Sequence, residues 1–312
     1  MRKASPFGDG ITLKPDEFRL LRDLLAARAG LSFGPEARFS LERRLRERLT
    51  VLKLSSFAEY HHTLRFGPNA AAEWDEAIDL LTTNETYFFR EERQLRAFQN
   101  EVLPKLREVA AARRRLAIWS AGCSTGEEVY TLAVLVHASG LFPRGADAPA
   151  DSRWDVRIYG SDISRRCVAA ARRGVYGESS FRATSPELRE KHFDKVPGGW
   201  QVVAPIRELC HFGQLNLLDE ERARVLGSAD AIFCRNVLIY FDARARKAAI
   251  DTLYDRLTPG GVLLLGHSES LLNVSTAFEL LHLRDDLVYR KPPQSPQALP
   301  VREPDAPSRP GS

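Results

Sequence analysis

The sequence has no apolar run near the roughly 20 residues that span a bilayer, so no direct membrane insertion is expected. Its start, "MRKASPFGDG", carries two basic residues but no apolar core behind them, so no secretory leader is expected and the cytoplasm is the expected compartment. Cysteine is scarce. The four present (Cys123, Cys167, Cys210, Cys234) are scattered, with no Cys-x-x-Cys pair and no histidine at ligand spacing, which argues against a disulfide framework and a structural zinc. Cys123 is read as a small loop residue rather than a reactive thiol. The seven histidines form no HExxH-like array, and His61 and His62 read as solvated surface, so no metal is expected. Internal repeats are also lacking.

What is present is ordinary in bulk. The 312 residues suffice for two domains, and 44% hydrophobic with 28% charged residues describes a soluble globular chain. A net charge of +4 is too small to imply nucleic acid as a partner. The charge is unevenly spread, however. Residues 38–53 hold Arg38, Arg43, Arg44, Arg46, Arg48 and Lys53 against only Glu42 and Glu47.

Residues 11–81 read as a helical N-terminal domain. Leu41, Leu45, Leu49 and Leu52 form one helical stripe, and the arginines between them fall off it as a basic outer face. That face is either a solvated surface or a docking surface for an acidic partner. Beyond residue 82 the pattern changes to an α/β domain over 82–291. Short apolar runs "LAIWS" (116–120), "VRIYGSD" (156–162), "ADAIFCRN" (229–236) and "GVLLLG" (261–266) alternate with helical segments Glu127–Ser139, Ser164–Arg173 and Ala243–Leu257. Such alternation predicts a parallel, Rossmann-like sheet with both faces covered. "TPGG" (258–261) reads as a helix stop, and Phe278–Leu283 with Leu287–Arg290 as a closing antiparallel hairpin. About residues 192–212 a Pro-Gly-Gly turn between strand-like pieces predicts a small antiparallel β insertion. The Pro-rich tail, 292–312, is expected to be disordered.

The chemistry concentrates in "SAGCSTGEEVYTL" (120–132), a small-residue loop after the first strand. A P-loop needs a lysine after its last glycine, whereas Gly126 is followed by Glu127, which would repel phosphate. The dinucleotide fingerprint needs three glycines, and only Gly122 and Gly126 are present. The loop still lies at the carboxyl edge where doubly wound sheets bind ligands. Asp162, ending "YGSD", is placed to accept hydrogen bonds from a ribose diol. Its offset of 40 residues from Gly122 exceeds the usual twenty or so, and the loop at 140–153 accounts for the excess. Close backbone approach, acidic side chains and a ribose acceptor without a phosphate partner describe a site for S-adenosylmethionine, whose sulfonium and ammonium groups favour nearby carboxylates. Helix-dipole complementarity alone would explain one of Glu127 and Glu128, less readily both with Asp162.

Six motifs in order, "TTNETYFFRE" (82–91), "IWSAGCSTGEEVYTLA" (118–133), "SDIS" (161–164), "NLL" (216–218), "FCRNVLIYFD" (233–242) and "GHSES" (266–270), resemble the chemotaxis receptor methyltransferases of the CheR type over roughly residues 14–290. The resemblance implies a class I methyltransferase sheet and an all-helical N-terminal domain. It also implies transfer of methyl from S-adenosylmethionine to glutamates on chemoreceptor cytoplasmic helices, leaving S-adenosylhomocysteine. By the same resemblance Asn84, Thr86, Arg90, Gly122, Glu128, Asp162, Asn216, Leu217, Arg235 and Asn236 bind the cofactor. Arg90 and Tyr240 handle the reacting group, and the implied receptor gives the arginines at 38, 43, 44, 46 and 48 an acidic partner to dock by charge. "NET" stands where Asn-Leu-Thr is commoner, placing Glu85 near the cofactor entrance. The "KVPGGW" turn is shorter than in relatives that capture a receptor's C-terminal peptide, so such tethering is not expected. An RNA or small-molecule methyltransferase and a non-catalytic cofactor-binding regulator remain alternatives.

Overall fold

The computed structural model describes residues 11–145 and 148–293. The opening decapeptide and the Pro-rich tail from 294 onward lie outside the described residues. No helix among the described residues is long and apolar enough to cross a membrane.

The N-terminal helices follow from local signals. Helix α1 (Pro15–Ala29) begins with proline at its first turn and Glu17 reaching back to the Lys14 N–H at 2.9 Å; it ends at Gly30, whose φ of 71° suits a residue without a Cβ. Helix α2 (Arg38–Leu52) buries Leu41, Leu45 and Leu49 at fourfold spacing. Helices α3 (Phe57–Phe66) and α4 (Ala70–Leu81) add Phe57, Tyr60, Leu64, Trp74, Ala77 and Ile78 to the same core.

The basic outer face of α2 is narrower than its composition suggests. Arg48 turns inward onto Glu73 of α4, with Nε to Oε1 at 2.9 Å and Nη2 to Oε2 at 2.6 Å. Arg44 donates from Nη1 to the carbonyl of Leu81 at 2.8 Å, satisfying an end of α4. Arg46 pairs with Glu42, while Arg38 and Arg43 are exposed. Glu73 and the end of α4 are distant in sequence, which is why a helical wheel of α2 alone assigns Arg44 and Arg48 outward.

A linker with α5 (Glu92–Ala97), a π-helical turn (Phe98–Val102) and α6 (Leu103–Val109) leads into the second domain. Its elements are β1 (Arg115–Ala121), α7 (Glu127–Ser139), β2 (Asp155–Asp162), α8 (Arg165–Arg173), β3 (Val175–Tyr176), α9 (Pro186–His192), β4 (Phe193–Val196), β5 (Gly199–Val202), α10 (Ala204–Arg207), β6 (Cys210–Gln214), α11 (Glu220–Arg224), β7 (Ala229–Cys234), α12 (Ala243–Arg256), β8 (Leu257–Leu265), β9 (Glu279–His282) and β10 (Leu287–Arg290). The main sheet runs β6-β2-β1-β7-β8-β10-β9, parallel from β6 to β8 and closed by the antiparallel β10 and β9. Apolar clusters cover both its faces. The chain leaves β1 toward β2 and β6, then returns to β7 on the other side. The carboxyl ends of β1 and β7 therefore flank a topological switch point, where ligands bind in such sheets.

Two expectations are corrected. The antiparallel insertion is not 192–212. It is β3-β5-β4, spanning 175–202, with Pro197 and Gly198 turning between β4 and β5. Residues 210–214 instead pair in parallel with Ile158–Asp162 as the edge of the main sheet. "TPGG" does follow the end of a helix, but the strand expected from Gly261 already includes it. Helix α12 ends at Arg256, and those residues lie in β8, where Gly260 N donates to Lys291 O and Lys291 N to Gly261 O, each at 2.9 Å.

The domains are stitched together beside the switch point. Ser32 N donates to Tyr240 O at 2.8 Å, and Asn216 Nδ2 to Arg28 O at 2.7 Å. The Ser164 hydroxyl donates to Asp79 of α4 and accepts from Cys167 N at 3.0 Å, capping α8. Phe88 of the linker stacks on Phe181 at 5.0 Å and meets Tyr176 and Phe193 edge-on, fastening the small sheet.

Candidate active site

A cavity of about 340 Å³ opens at the switch point, between the N-terminal helices and the sheet. Its volume is that of a small-ligand site. The linker contributes Asn84, Thr86 and Arg90; the glycine loop and α7 contribute Gly122 and Glu128; β2 contributes Asp162. Asn216 and Leu217 follow β6, while Arg235, Asn236 and Tyr240 follow β7. All the residues assigned from the sequence to cofactor or reacting group thus come together in one place, although they span more than 150 positions (Asn84 to Tyr240).

The glycine loop works by shape. Gly122 has φ 82°, and a Cβ there would overlap Val237 Cγ2. Gly126 has φ 96°, with Ala171 Cβ 2.8 Å from where its own Cβ would be. Only glycine lets these backbones approach so closely in the left-handed region. The loop's N–H groups at Gly122 and Cys123 both donate to Ser161 O, at 2.8 and 2.9 Å, tying it to β2. The Cys123 thiol is buried, and desolvation together with Asp162 pushes its pKa well above the ordinary value, which keeps it an unreactive packing group.

The two loop glutamates have separate roles. Glu127 is buried away from the cavity, accepting from Thr125 Oγ1 at 2.6 Å and Ser180 Oγ at 3.0 Å, and so links the loop to the β insertion. Glu128 lines the cavity. Its Oε1 accepts from Ser120 Oγ at 2.7 Å and its Oε2 faces Arg235 Nη1 at 3.3 Å. Arg235, with its side chain 3% exposed, also reaches Glu91 Oε2 at 3.1 Å and the Arg90 carbonyl at 2.7 Å. Burial raises the pKa of Glu128, and Arg235 pulls it partly back. Asp162 accepts from Ser124 N and Ser164 N, both at 2.8 Å, one on each oxygen. Burial raises its pKa as well, against those backbone donors.

This donor set fits S-adenosylmethionine. Two carboxylates, the buried Asp162 and the half-buried Glu128, face the cavity; desolvation works against their charge, and a cationic ligand favours it. Arg235 is already shared between Glu91 and Glu128, so it offers little to a phosphate. Asn216, by contrast, spends its amide on Arg28 O and Leu218 N, which makes it a brace between domains as well as part of the wall.

The rim holds the groups suited to a second substrate. Tyr240 is 37% exposed. Arg90 donates from Nη1 to Glu85 O at 3.1 Å, its guanidinium 5.9 Å from the Tyr87 ring. Glu85 is held by Arg182 at 2.8 Å, which neutralises the charge that "NET" adds at the entrance.

Sequence reasoning missed other wall residues. Arg44 lines the cavity rather than an outer docking face, as do Ser124 and Phe33. Ser120, Glu91 and Glu269 stand behind the wall and hold its charged or backbone groups. Glu269 lies inside the quoted "GHSES", so a signal was present without an assignable role.

Known proteins resemble this chain over both of its domains. The family model described as "CheR methyltransferase, SAM binding domain" matches residues 84–286, and "CheR methyltransferase, all-alpha domain" matches 16–82. Chemotaxis protein methyltransferase 2 of Vibrio cholerae is 34% identical, over 90% of this chain and 95% of its own. Chemotaxis protein methyltransferase 1 of Pseudomonas aeruginosa is 33% identical over 88% and 97%, and the Salmonella typhimurium chemotaxis protein methyltransferase 34% over 89% and 91%. With both family domains matched in order, the chain belongs to the CheR methyltransferase family and takes S-adenosylmethionine as its cofactor.

Proposed function

We propose that this protein methylates glutamate side-chain carboxylates on the cytoplasmic helices of chemoreceptors, producing glutamate methyl esters and S-adenosylhomocysteine. The name shared by its relatives, chemotaxis protein methyltransferase, supplies the pathway. One observation carries the reading: a cavity walled by Glu128 and Asp162 opens at a rim holding Arg90 and Tyr240.

The bound cofactor supplies an electrophilic methyl group on a cationic sulfur. The chain's own residues have a modest task in return. A glutamate side chain titrates near about 4.3, so it arrives as a competent nucleophile and no general base is needed. What remains is to place the carboxylate in line and to exclude water. Arg90 has the charge and position to orient a carboxylate at the rim, and Tyr240 a hydroxyl to hydrogen-bond it. Glu128 and Asp162 would hold the cationic and ribose parts of the ligand, with Asn84, Thr86 and the Asn216–Leu217 turn completing the wall. Transfer from a sulfonium to a carboxylate would neutralise opposite charges, a change that a site closed off from water would favour.

Receptor helices with clustered glutamates suit the exposed arginines of α2. Docking through Arg38 and Arg43, rather than capture of a receptor tail, is the expected mode. The deciding experiment is transfer of labelled methyl to receptor cytoplasmic fragments, followed by mild base. Volatile methanol marks an ester. Base-stable label, label recovered only in RNA, or cofactor binding without transfer would each overturn the proposal.

A further inference from the structure

Glu269 does not line the cavity, yet it holds four backbone N–H groups, three of them on residues that do. Its Oε2 accepts from Asn236 N at 2.7 Å and Gly266 N at 2.9 Å. Its Oε1 accepts from Val237 N at 2.9 Å and Ile239 N at 3.3 Å. The strand ladder of β7 ends at Cys234, so these N–H groups have no neighbouring strand to serve. Asn236 turns with φ 59°, and the N–H groups that follow converge on one point. Such a concavity of backbone donors ordinarily binds an anion. Here the chain provides its own.

The segment so held meets both the glycine loop and the helical domain. Val237 packs against the Gly122 backbone so tightly that Gly122 tolerates no Cβ. Asn236, Val237, Ile239 and Tyr240 all line the cavity, and Tyr240 O also receives Ser32 N from the helical domain. Gly266 belongs to the same clasp: a Cβ there would stand 2.9 Å from both Asn236 N and Glu269 Oε2. The glycine and glutamate of "GHSES" are thus two halves of one device.

We propose that Glu269 is a positioning residue for the cofactor site. Its carboxylate acts as an internal anion that locks the Asn236–Ile239 turn, presses Val237 against the glycine loop and sets Tyr240 at the rim. The inference rests on S-adenosylmethionine as ligand and not on glutamate as substrate, so it stands or falls separately from the proposed reaction.

The test compares wild type with Glu269→Gln and Glu269→Asp, measuring S-adenosylhomocysteine affinity by calorimetry and Tm without ligand. Glutamine keeps the volume but has one acceptor oxygen, and its NH2 faces N–H groups it cannot serve. Loss of affinity of about tenfold or more is expected for Glu269→Gln, the scale of one charge-assisted hydrogen bond. Glu269→Asp should recover part of that loss because it keeps the charge. The Tm should fall by no more than a few degrees in either variant. Affinity within twofold of wild type in folded Glu269→Gln would overturn the proposal. So would a Glu269→Asp protein no better than Glu269→Gln, or affinity that declines only in step with Tm. If Glu269→Gln does not fold, Gly266→Ala strains the clasp from the other side and should show the same loss of affinity; unchanged affinity there would equally refute it.

Discussion

Arg48 lies across Glu73 in a two-pronged ion pair, Nη2 to Oε2 at 2.6 Å and Nε to Oε1 at 2.9 Å, fastening α2 to α4. Tyr60 Oη donates to the same carboxylate at 2.8 Å, so Glu73 is fully engaged inside the helical domain. Breaking such a pair from one side leaves a buried charge uncompensated. Arg48→Glu should therefore destabilise the N-terminal domain by about 3–5 kcal/mol. Thermal unfolding of the variant checks this; a Tm equal to wild type would show the pair to be dispensable. Any loss of receptor methylation in Arg48→Glu then reports folding rather than docking.

Docking is better tested at Arg43, which is exposed on the same helix. Arg43→Glu should raise KM for receptor fragments by about three- to tenfold at low salt. Cofactor affinity should stay at the wild-type value, and added salt should narrow the difference as screening shortens the reach of the charge. A salt-independent effect would remove α2 from the docking surface.

Proton linkage gives a third expectation. Burial raises the pKa of Glu128 and Asp162 in the free protein, so each keeps its proton to a higher pH than an ordinary carboxyl. In the free protein this makes their ionisation a cost to stability, incurred as pH rises from the unfolded pKa through the folded one. A cationic ligand favours the ionised forms. Binding should release protons in that window, and affinity for S-adenosylmethionine should fall as pH is lowered through it. Calorimetry in buffers of different ionisation enthalpy counts the protons. Glu128→Gln should weaken binding and flatten the pH dependence; a profile as steep as wild type would place the linkage elsewhere.

Gly122→Ala tests the close approach of the glycine loop. The left-handed φ of 82° and the overlap with Val237 Cγ2 make the methyl group unaccommodated. A strained backbone position of this kind costs about 1–3 kcal/mol. Displacement of Val237 should also reduce cofactor affinity, which equilibrium binding measures directly.

How much of this was legible in the sequence depends on the range of each contact. The strands β1, β2, β7 and β8 announce themselves as apolar runs, whereas the pairing of β1 with β7 that makes the switch point is not written in the runs themselves. The cavity residues were legible through motifs, because each motif is a short local stretch, at a strand end or, for Asn84, Thr86 and Arg90, in the linker after α4. β6 was not, since a run such as "LCHF" has the same character whether it pairs with the insertion or with Ile158–Asp162. Arg48 was not, because its partner Glu73 is 25 positions away. Glu269 is 33 positions from the Asn236 it holds, and local patterning says nothing about such a pairing.

The rim decides whether catalysis or binding is lost when it is altered. Tyr240 is placed by its backbone, through Ser32 N on its carbonyl and its own N–H to Val237 O at 3.1 Å, so removing its hydroxyl leaves the cavity wall in place. Tyr240→Phe should consequently leave cofactor affinity unchanged. If the hydroxyl bonds the reacting carboxylate as methyl arrives, kcat should fall by about ten- to a hundredfold, equivalent to roughly 1.4–2.7 kcal/mol of transition-state stabilisation. Arg90→Lys should behave differently. Lysine keeps the charge but loses the planar fork, so the substrate carboxylate is held less well oriented and KM for the receptor should rise along with a fall in kcat. Steady-state kinetics on receptor fragments separates the two. A Tyr240→Phe enzyme with wild-type kcat would reduce that residue to a wall, and leave Arg90 as the only rim group handling the carboxylate.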